Sequence, residues 1–175
     1  MSSRTRDRGP LLDALGLDEP FVAGVLAGLR DRAETVATAE SLTAGLVCGA
    51  LTSVSGSSDV VRGGLVVYAT ELKAELAGVP AELLAAHGAV HPEVAGGLAA
   101  GARSACRASW GIGLTGVAGP DPQDGISPGR VYVAVDGPAG VTVRTLDLTG
   151  DRHAVRAGAV REALELLQEL VRAAN

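Results

Sequence analysis

Residues 35–51 read TVATAESLTAGLVCGAL, and the fold follows from the punctuation inside them. Thr35-Val36-Ala37-Thr38-Ala39 is a β-like run, and residues 46–51 make an Ala/Leu/Val helix. Between them AESLTAG, residues 39–45, is a turn of small and polar side chains. A strand that passes through a short turn into a helix is the repeating element of α/β sheets.

The same alternation extends outward in both directions. Upstream, residues 1–9 read as a flexible polar tail, and residues 10–175 as one domain. Asp18 or Glu19 with Pro20 opens a helix carrying Phe21, Val22, Val25, Leu26 and Leu29 at helical spacing. Downstream, Val54-Ser55-Gly56-Ser57-Ser58 is a turn before a second strand at residues 64–68. Short helices at 71–77 and 80–86 are separated by Gly78, and Pro92 starts a longer one reaching about residue 104. Residues 110–115 form a third strand that ends in a loop to Gly129. Strands at 130–135 and 141–148 join as a hairpin at Asp136-Gly137-Pro138-Ala139-Gly140. A closing helix at 151–173 turns Val155, Ala159, Leu164, Leu167 and Val171 inward. The expectation is an α/β fold with a mixed, mostly parallel sheet covered by helices on both faces.

Composition narrows the function. A chain of 175 residues buries roughly 70% of its unfolded surface. Its aromatic residues are Phe21, Tyr68, Trp110 and Tyr132, so the core must be built from Ala, Val and Leu with Gly at close approaches. Few aromatics and a net charge of −5 argue against a nucleic-acid partner, which needs stacking rings or a basic face. Arg144, Arg152, Arg156 and Arg161 nevertheless cluster late in the chain and suit either an anionic small molecule or a solvated helix face. Cys48 and Cys106 read as buried free thiols of a reducing compartment. No apolar run reaches the roughly 18 residues of a membrane span, and residues 1–7 lack a secretory h-region. The expected location is the cytoplasm, with no membrane partner and no metal or other cofactor.

Chemistry enters at Ser41. Its turn lies at a helix N-terminus, where the N–H groups of Leu42, Thr43 or Ala44 could stabilise an oxyanion. Serine needs a base to act as a nucleophile, and without one it is only a helix cap. Lys73 offers that base if desolvation lowers its pKa, or else it is a surface lysine pairing with Glu71 or Glu75. His87 and His91 are divided by Gly88, so a shared helical face and a metal site are not expected. The loop TGVAGPD, residues 115–121, brings backbone amides close to any ligand through its glycines. Gly56-Ser57-Ser58 reads as a turn that offers a second anion-binding or nucleophile-bearing position.

Taken together, these motifs resemble the C-terminal domain of the competence/damage-inducible CinA family. The resemblance covers roughly residues 34–171. It is carried by AESLTAG (39–45), GSS (56–58), YATELK (68–73), HGAV (87–90), TGVAGPDP (115–122), PGRVYVAV (128–135) and GDRHAVR (150–156). It implies a three-layer α/β/α sandwich and a metal-independent hydrolysis of the carboxamide of nicotinamide mononucleotide, giving nicotinic acid mononucleotide and ammonia. On that resemblance Ser41 is the nucleophile, with Ser58 as its rival, and Lys73 is the general base. Tyr68 would assist proton transfer or orient the lysine. Thr43, Ala44 and Gly45 would supply backbone for an oxyanion hole. Thr115, Gly116 and Gly119 would shape the pocket, and Arg152 or Arg156 would bind phosphate.

The chain departs from the family's ESCTGG at Leu42 and Ala44, and from a common Asn at Thr70. Those departures keep open a second reading, a non-catalytic pyridine-nucleotide-binding module on the same fold. The resemblance also implies a stand-alone form without an N-terminal molybdopterin-binding-like domain. It further implies a homo-oligomer, for which the Ala/Gly-rich helix at 93–102 suggests tight packing across a subunit boundary.

Overall fold

A computed structural model describes residues 9–174 of the chain; the tail expected at 1–9 therefore lies, except for Gly9, outside the described residues. The elements run α1 (Pro10–Ala14), α2 (Glu19–Asp31), β1 (Val36–Glu40), α3 (Leu46–Thr52), a 3-10 turn (Ser57–Asp59), β2 (Val61–Val66), α4 (Thr70–Glu75), α5 (Ala81–His87), α6 (Pro92–Ala105), β3 (Trp110–Gly116), β4 (Arg130–Gly137), β5 (Gly140–Asp147) and α7 (Arg152–Ala173). The sequence pattern anticipates all of these except α1. Its Leu12 is buried in the core beside Leu15 and Leu17, so α1 is part of the packed structure. The second strand begins three residues earlier than expected, because Val61 pairs with Val36 across a bulge.

The strands form one sheet in the order β2-β1-β3-β4-β5. β1 pairs in parallel with β2 and β3, whereas β4 pairs antiparallel with β3 and β5. The sheet is mixed as expected, but its pairings divide evenly rather than being mostly parallel. Strand β4 is the cause: it must run back along β3 to reach its hairpin partner, so one strand reverses two pairings.

Side chains alternate along each strand and feed two cores. Val36 of β1 and Trp110, Ile112 and Leu114 of β3 pack with α1, α2, α3 and α7. Ala37 and Ala39 of β1 face the other way, with Val67, Val79, Val94, Leu98 and Ala102. Three layers result.

The second face is assembled from residues with almost no side chain. A Cβ on Gly111 would overlap the Ala99 carbonyl, and one on Gly113 would overlap that of Ala95, so the α6 backbone lies directly on β3. A Cβ on Gly101 would meet the Ala77 carbonyl in the same way. The Ala/Gly-rich stretch at 93–102 packs inside the chain, against the sheet and the loop after α4. Gly113→Ala forces α6 off the sheet; it is expected to cost at least the roughly 1–3 kcal/mol of an overpacked core, read as a lower urea midpoint at unchanged slope.

Candidate active site

In an open α/β sheet the ligand crevice lies beyond the carboxyl ends of the strands, where successive connections leave in opposite directions. Here the chain leaves β1 for β2 on one side, then crosses to β3 on the other. The carboxyl ends of these three parallel strands carry Ser41, the Tyr68–Lys73 segment and Thr115. A cleft of about 330 Å³ opens there, lined among others by Ser41, Leu42, Tyr68, Lys73, Thr115 and Arg152.

The turn that presents Ser41 is held by a residue the sequence reading passed over. Glu40 ends β1 fully buried. One carboxylate oxygen accepts hydrogen bonds from the N–H groups of Gly45 and Val47 at 3.0 Å each. The other accepts from Cys48 N–H at 2.9 Å and the Thr38 hydroxyl at 3.0 Å. Three otherwise unpaired N–H groups of α3 are thus satisfied from inside the strand, and negative charge at a helix N-terminus is favourable. An acid directly before a turn that opens a helix is the signal that could have found it.

These bonds also sort the candidate oxyanion donors. The Ala44 N–H bonds to the Ser41 carbonyl at 3.1 Å, so among the described residues the N–H groups of Leu42 and Thr43 are left without a partner. The Thr43 hydroxyl is enclosed with no partner among the described residues, and Thr43 does not line the cleft. Neither do Ala44, exposed at φ 50°, and Gly45, which caps α3 at φ 93°. Left-handed backbone costs an alanine roughly 1 kcal/mol, so Ala44 burdens the turn without entering the cleft. Leu42 fills core space with one face and walls the cleft with the other. The Ser41 hydroxyl has no hydrogen bond to any described residue and opens on the cleft.

Lys73 is 1% exposed, the opposite of a surface lysine. Its Nζ donates to the main-chain carbonyls of Val67 at 2.8 Å and Tyr68 at 3.2 Å, and no carboxylate among the described residues forms an ion pair with it. Burial pushes its pKa below the ordinary lysine value, and the charge of Glu71 only partly opposes this. A neutral amine has two N–H donors and one lone pair. With both donors engaged by carbonyls, the lone pair is left for the cleft that Lys73 lines. The lysine is also tied to the nucleophile's own turn: Val67, whose carbonyl it holds, donates its N–H to the Glu40 carbonyl at 2.9 Å.

The other expected residues separate. Tyr68 reaches Lys73 only through its carbonyl; the residue is 59% exposed and its phenol oxygen accepts from Arg152 Nη2 at 3.3 Å. Arg152, on the first turn of α7, also donates to the Gly119 carbonyl at 2.8 Å and lines the cleft. Arg156 does not line it. Its guanidinium holds the carbonyls of Leu42 (2.9 Å) and Thr43 (3.2 Å), bracing the serine turn from behind. Arg144 pairs with Glu162 and Glu169, and Arg161 bonds to the Gly16 carbonyl, so Arg152 is the member of that arginine group that faces the cleft.

Thr115, Gly116 and Gly119 wall the cleft as expected; the Thr115 hydroxyl donates to the Ala89 carbonyl at 2.6 Å, which brings in the unforeseen Ala89 and Val90. Ser58 is exposed in the turn before β2, whereas Tyr68 and Lys73 follow that strand. Roughly 20 Å of strand therefore divides it from them, at about 3.3 Å per residue. His87 ends α5 and His91 caps α6, so they share no helical face as expected, yet their rings stack with centroids 4.2 Å apart across Gly88. No group of three potential metal ligands occurs among the described residues.

Comparison with known proteins gives the family. Residues 18–171 match the family model for the CinA C-terminal domain, and the chain belongs to that family. It is 45% identical over 156 residues to a CinA-like protein of Frankia casuarinae, covering 89% of this chain and 36% of that protein. It is 49% identical over 149 residues to a CinA-like protein of Anaeromyxobacter dehalogenans, again covering 36% of the relative and 85% of this chain. The chain thus spans about a third of the length of these relatives. Among solved structures, a CinA superfamily protein of Klebsiella pneumoniae superposes with a TM-score of 0.85 at 30% identity, covering 88% of this chain and 97% of that one. The competence/damage-inducible protein of Agrobacterium tumefaciens gives 0.82 at 35% identity, covering 87% and 94%. No helix among the described residues is long and apolar enough to cross a membrane.

Glu40→Gln removes the charge and sets amide hydrogens against at least one N–H donor, that of Cys48, or against those of Gly45 and Val47. With bonds to a charged acceptor worth about 1.5–3 kcal/mol each, a loss of roughly 3 kcal/mol is expected, read by thermal unfolding; an unchanged melting temperature would refute the clamp.

Proposed function

We propose that this domain hydrolyses the carboxamide of nicotinamide mononucleotide through a serine ester, without a metal. The observation that supports it best is the state of Lys73: a buried amine, bonded among the described residues only to two carbonyls, lining the same cleft as a serine hydroxyl that has no hydrogen-bond partner among them.

In this reading the Ser41 oxygen attacks the carboxamide carbon while its proton passes to the Lys73 amine. The oxyanion meets the N–H group of Leu42, which lines the cleft. Lysine returns the proton to the amide nitrogen, the C–N bond breaks and ammonia leaves. Water then attacks the ester with Lys73 again as base, releasing the carboxylic acid and restoring Ser41. The phosphate goes to Arg152, whose place at the start of α7 adds the favourable end of a helix dipole. The corresponding end of α3 is closed to phosphate, since Glu40 already occupies it.

Ser41→Ala and Lys73→Met are each expected to lower ammonia release by a thousandfold or more, whereas Ser58→Ala and added chelator leave it intact. Saturable nucleotide binding without ammonia release by the unaltered protein would replace this reading with the non-catalytic one. Lys73 must be neutral to act, so activity rises with pH and levels off below the ordinary lysine pKa of about 10.4. Stability follows the same sign. The unfolded chain binds the proton more tightly, so the cost of charging Lys73 is fully present below its folded pKa. That cost fades as pH rises from there toward the ordinary value, a rise that Lys73→Met abolishes.

Tyr68→Phe removes only the partner of Arg152. It is expected to raise KM several-fold and leave the pH profile in place; a shifted profile would restore the phenol to the proton path.

A further inference from the structure

Two opposite charges stand at the cleft, and neither is spent on the other. The Arg152 guanidinium is fixed by the Gly119 carbonyl and the Tyr68 hydroxyl, neutral acceptors that orient it without cancelling its charge. Asp121 lines the same cleft two residues beyond Gly119. It is exposed and makes no hydrogen bond or ion pair with any described residue. Pro120 and Pro122 flank it, and their fixed φ angles leave its backbone little freedom to withdraw. The remaining basic group, Lys73, is driven toward its neutral form by burial. The other lining residues, Gln123, Thr70 and Thr115 among them, carry no charge.

A ligand entering this cleft meets one uncompensated cation and one uncompensated anion. For a purely anionic ligand Asp121 is a repulsion; for a ligand that also bears a fixed positive charge it is an attraction. We propose that Asp121 is a specificity-determining residue that selects a zwitterionic substrate, its carboxamide on a cationic ring such as an N-substituted pyridinium and its anionic group on Arg152. The identity of the ligand rests on the amidohydrolase reading above. The charge selection itself is a property of the two side chains. Because Asp121 is exposed, the attraction is worth about tenfold in affinity and weakens with salt, since the screening length is near 10 Å at 0.1 M.

The test is calorimetric binding of nicotinamide mononucleotide and its 1,4-dihydropyridine form, which has the same shape and phosphate but an uncharged ring. Unaltered protein is expected to prefer the cationic form about tenfold at low salt. Asp121→Asn should bring that ratio close to one, through weaker binding of the cationic ligand and tighter binding of the neutral one. Asp121→Glu should retain most of the preference. Since Asp121 is exposed and makes no hydrogen bond or ion pair with any described residue, Asp121→Asn should melt where the unaltered protein does. A ratio that Asp121→Asn leaves unchanged, or absence of binding by either ligand, overturns the proposal. Ammonia release by the unaltered protein is followed in parallel. Its absence, with the binding ratio and its response to Asp121→Asn intact, would overturn the amidohydrolase reading and leave the charge selection standing.

Discussion

The buried carboxylate of Glu40 is the constraint on which the rest depends. It sits where a strand ends and a helix begins, and its four hydrogen bonds join the two. Without them three α3 N–H groups would be left unpaired inside the protein, at a cost comparable to a lost hydrogen bond each. The turn between is then no longer free. Ser41 must emerge beyond β1, Ala44 must accept a left-handed backbone, and Arg156 closes the structure from outside by taking two of the turn's carbonyls. Burial, and after it the same charge, raises the pKa of the Cys48 thiol, which favours its protonated form.

The second constraint is how closely α6 approaches the sheet. Gly111 and Gly113 on β3 and Ala95 and Ala99 on α6 let the helix backbone rest on the strand. That contact sets where α6 begins, and with it Ala89 and Val90, whose segment closes one wall of the cleft and receives the Thr115 hydroxyl. A composition poor in aromatics is therefore a packing solution, with close backbone contact taking the place of large side chains. The opposite core is filled conventionally by Leu and Val from α1, α2, α3 and α7.

Together the two constraints explain the state of Lys73. The amine is lodged between the end of β2 and the second core, near main-chain carbonyls and away from water, so its proton is held loosely. Arg152 shows the complementary arrangement, a cation kept at the cleft mouth by neutral partners. Burial lowers the pKa of one basic group, while the other holds its guanidinium at the exposed mouth.

Most of the architecture was legible in the chain, because helix and strand periodicities, the Gly and Pro stops and the hairpin turn are local. The strand–turn–helix around AESLTAG, the five strands and the long closing helix are of this kind. So was the presence of a serine and a lysine at two strand ends. Other features were not local. The even split between parallel and antiparallel pairings depends on which strands become neighbours. Burial of Lys73, rather than pairing with Glu71 or Glu75, depends on what packs over it. Ser58 left the site because a whole strand intervenes, and the four arginines parted because each meets a different element of the fold. Glu40 is the exception, since its four partners lie within eight residues of it and an acid directly before a turn that opens a helix is a local signal. Residue types and their order determined the fold and the candidate chemistry; only the tertiary structure decided which groups lose water and which charges remain unpaired, since desolvation and pairing are properties of neighbours brought from far along the chain.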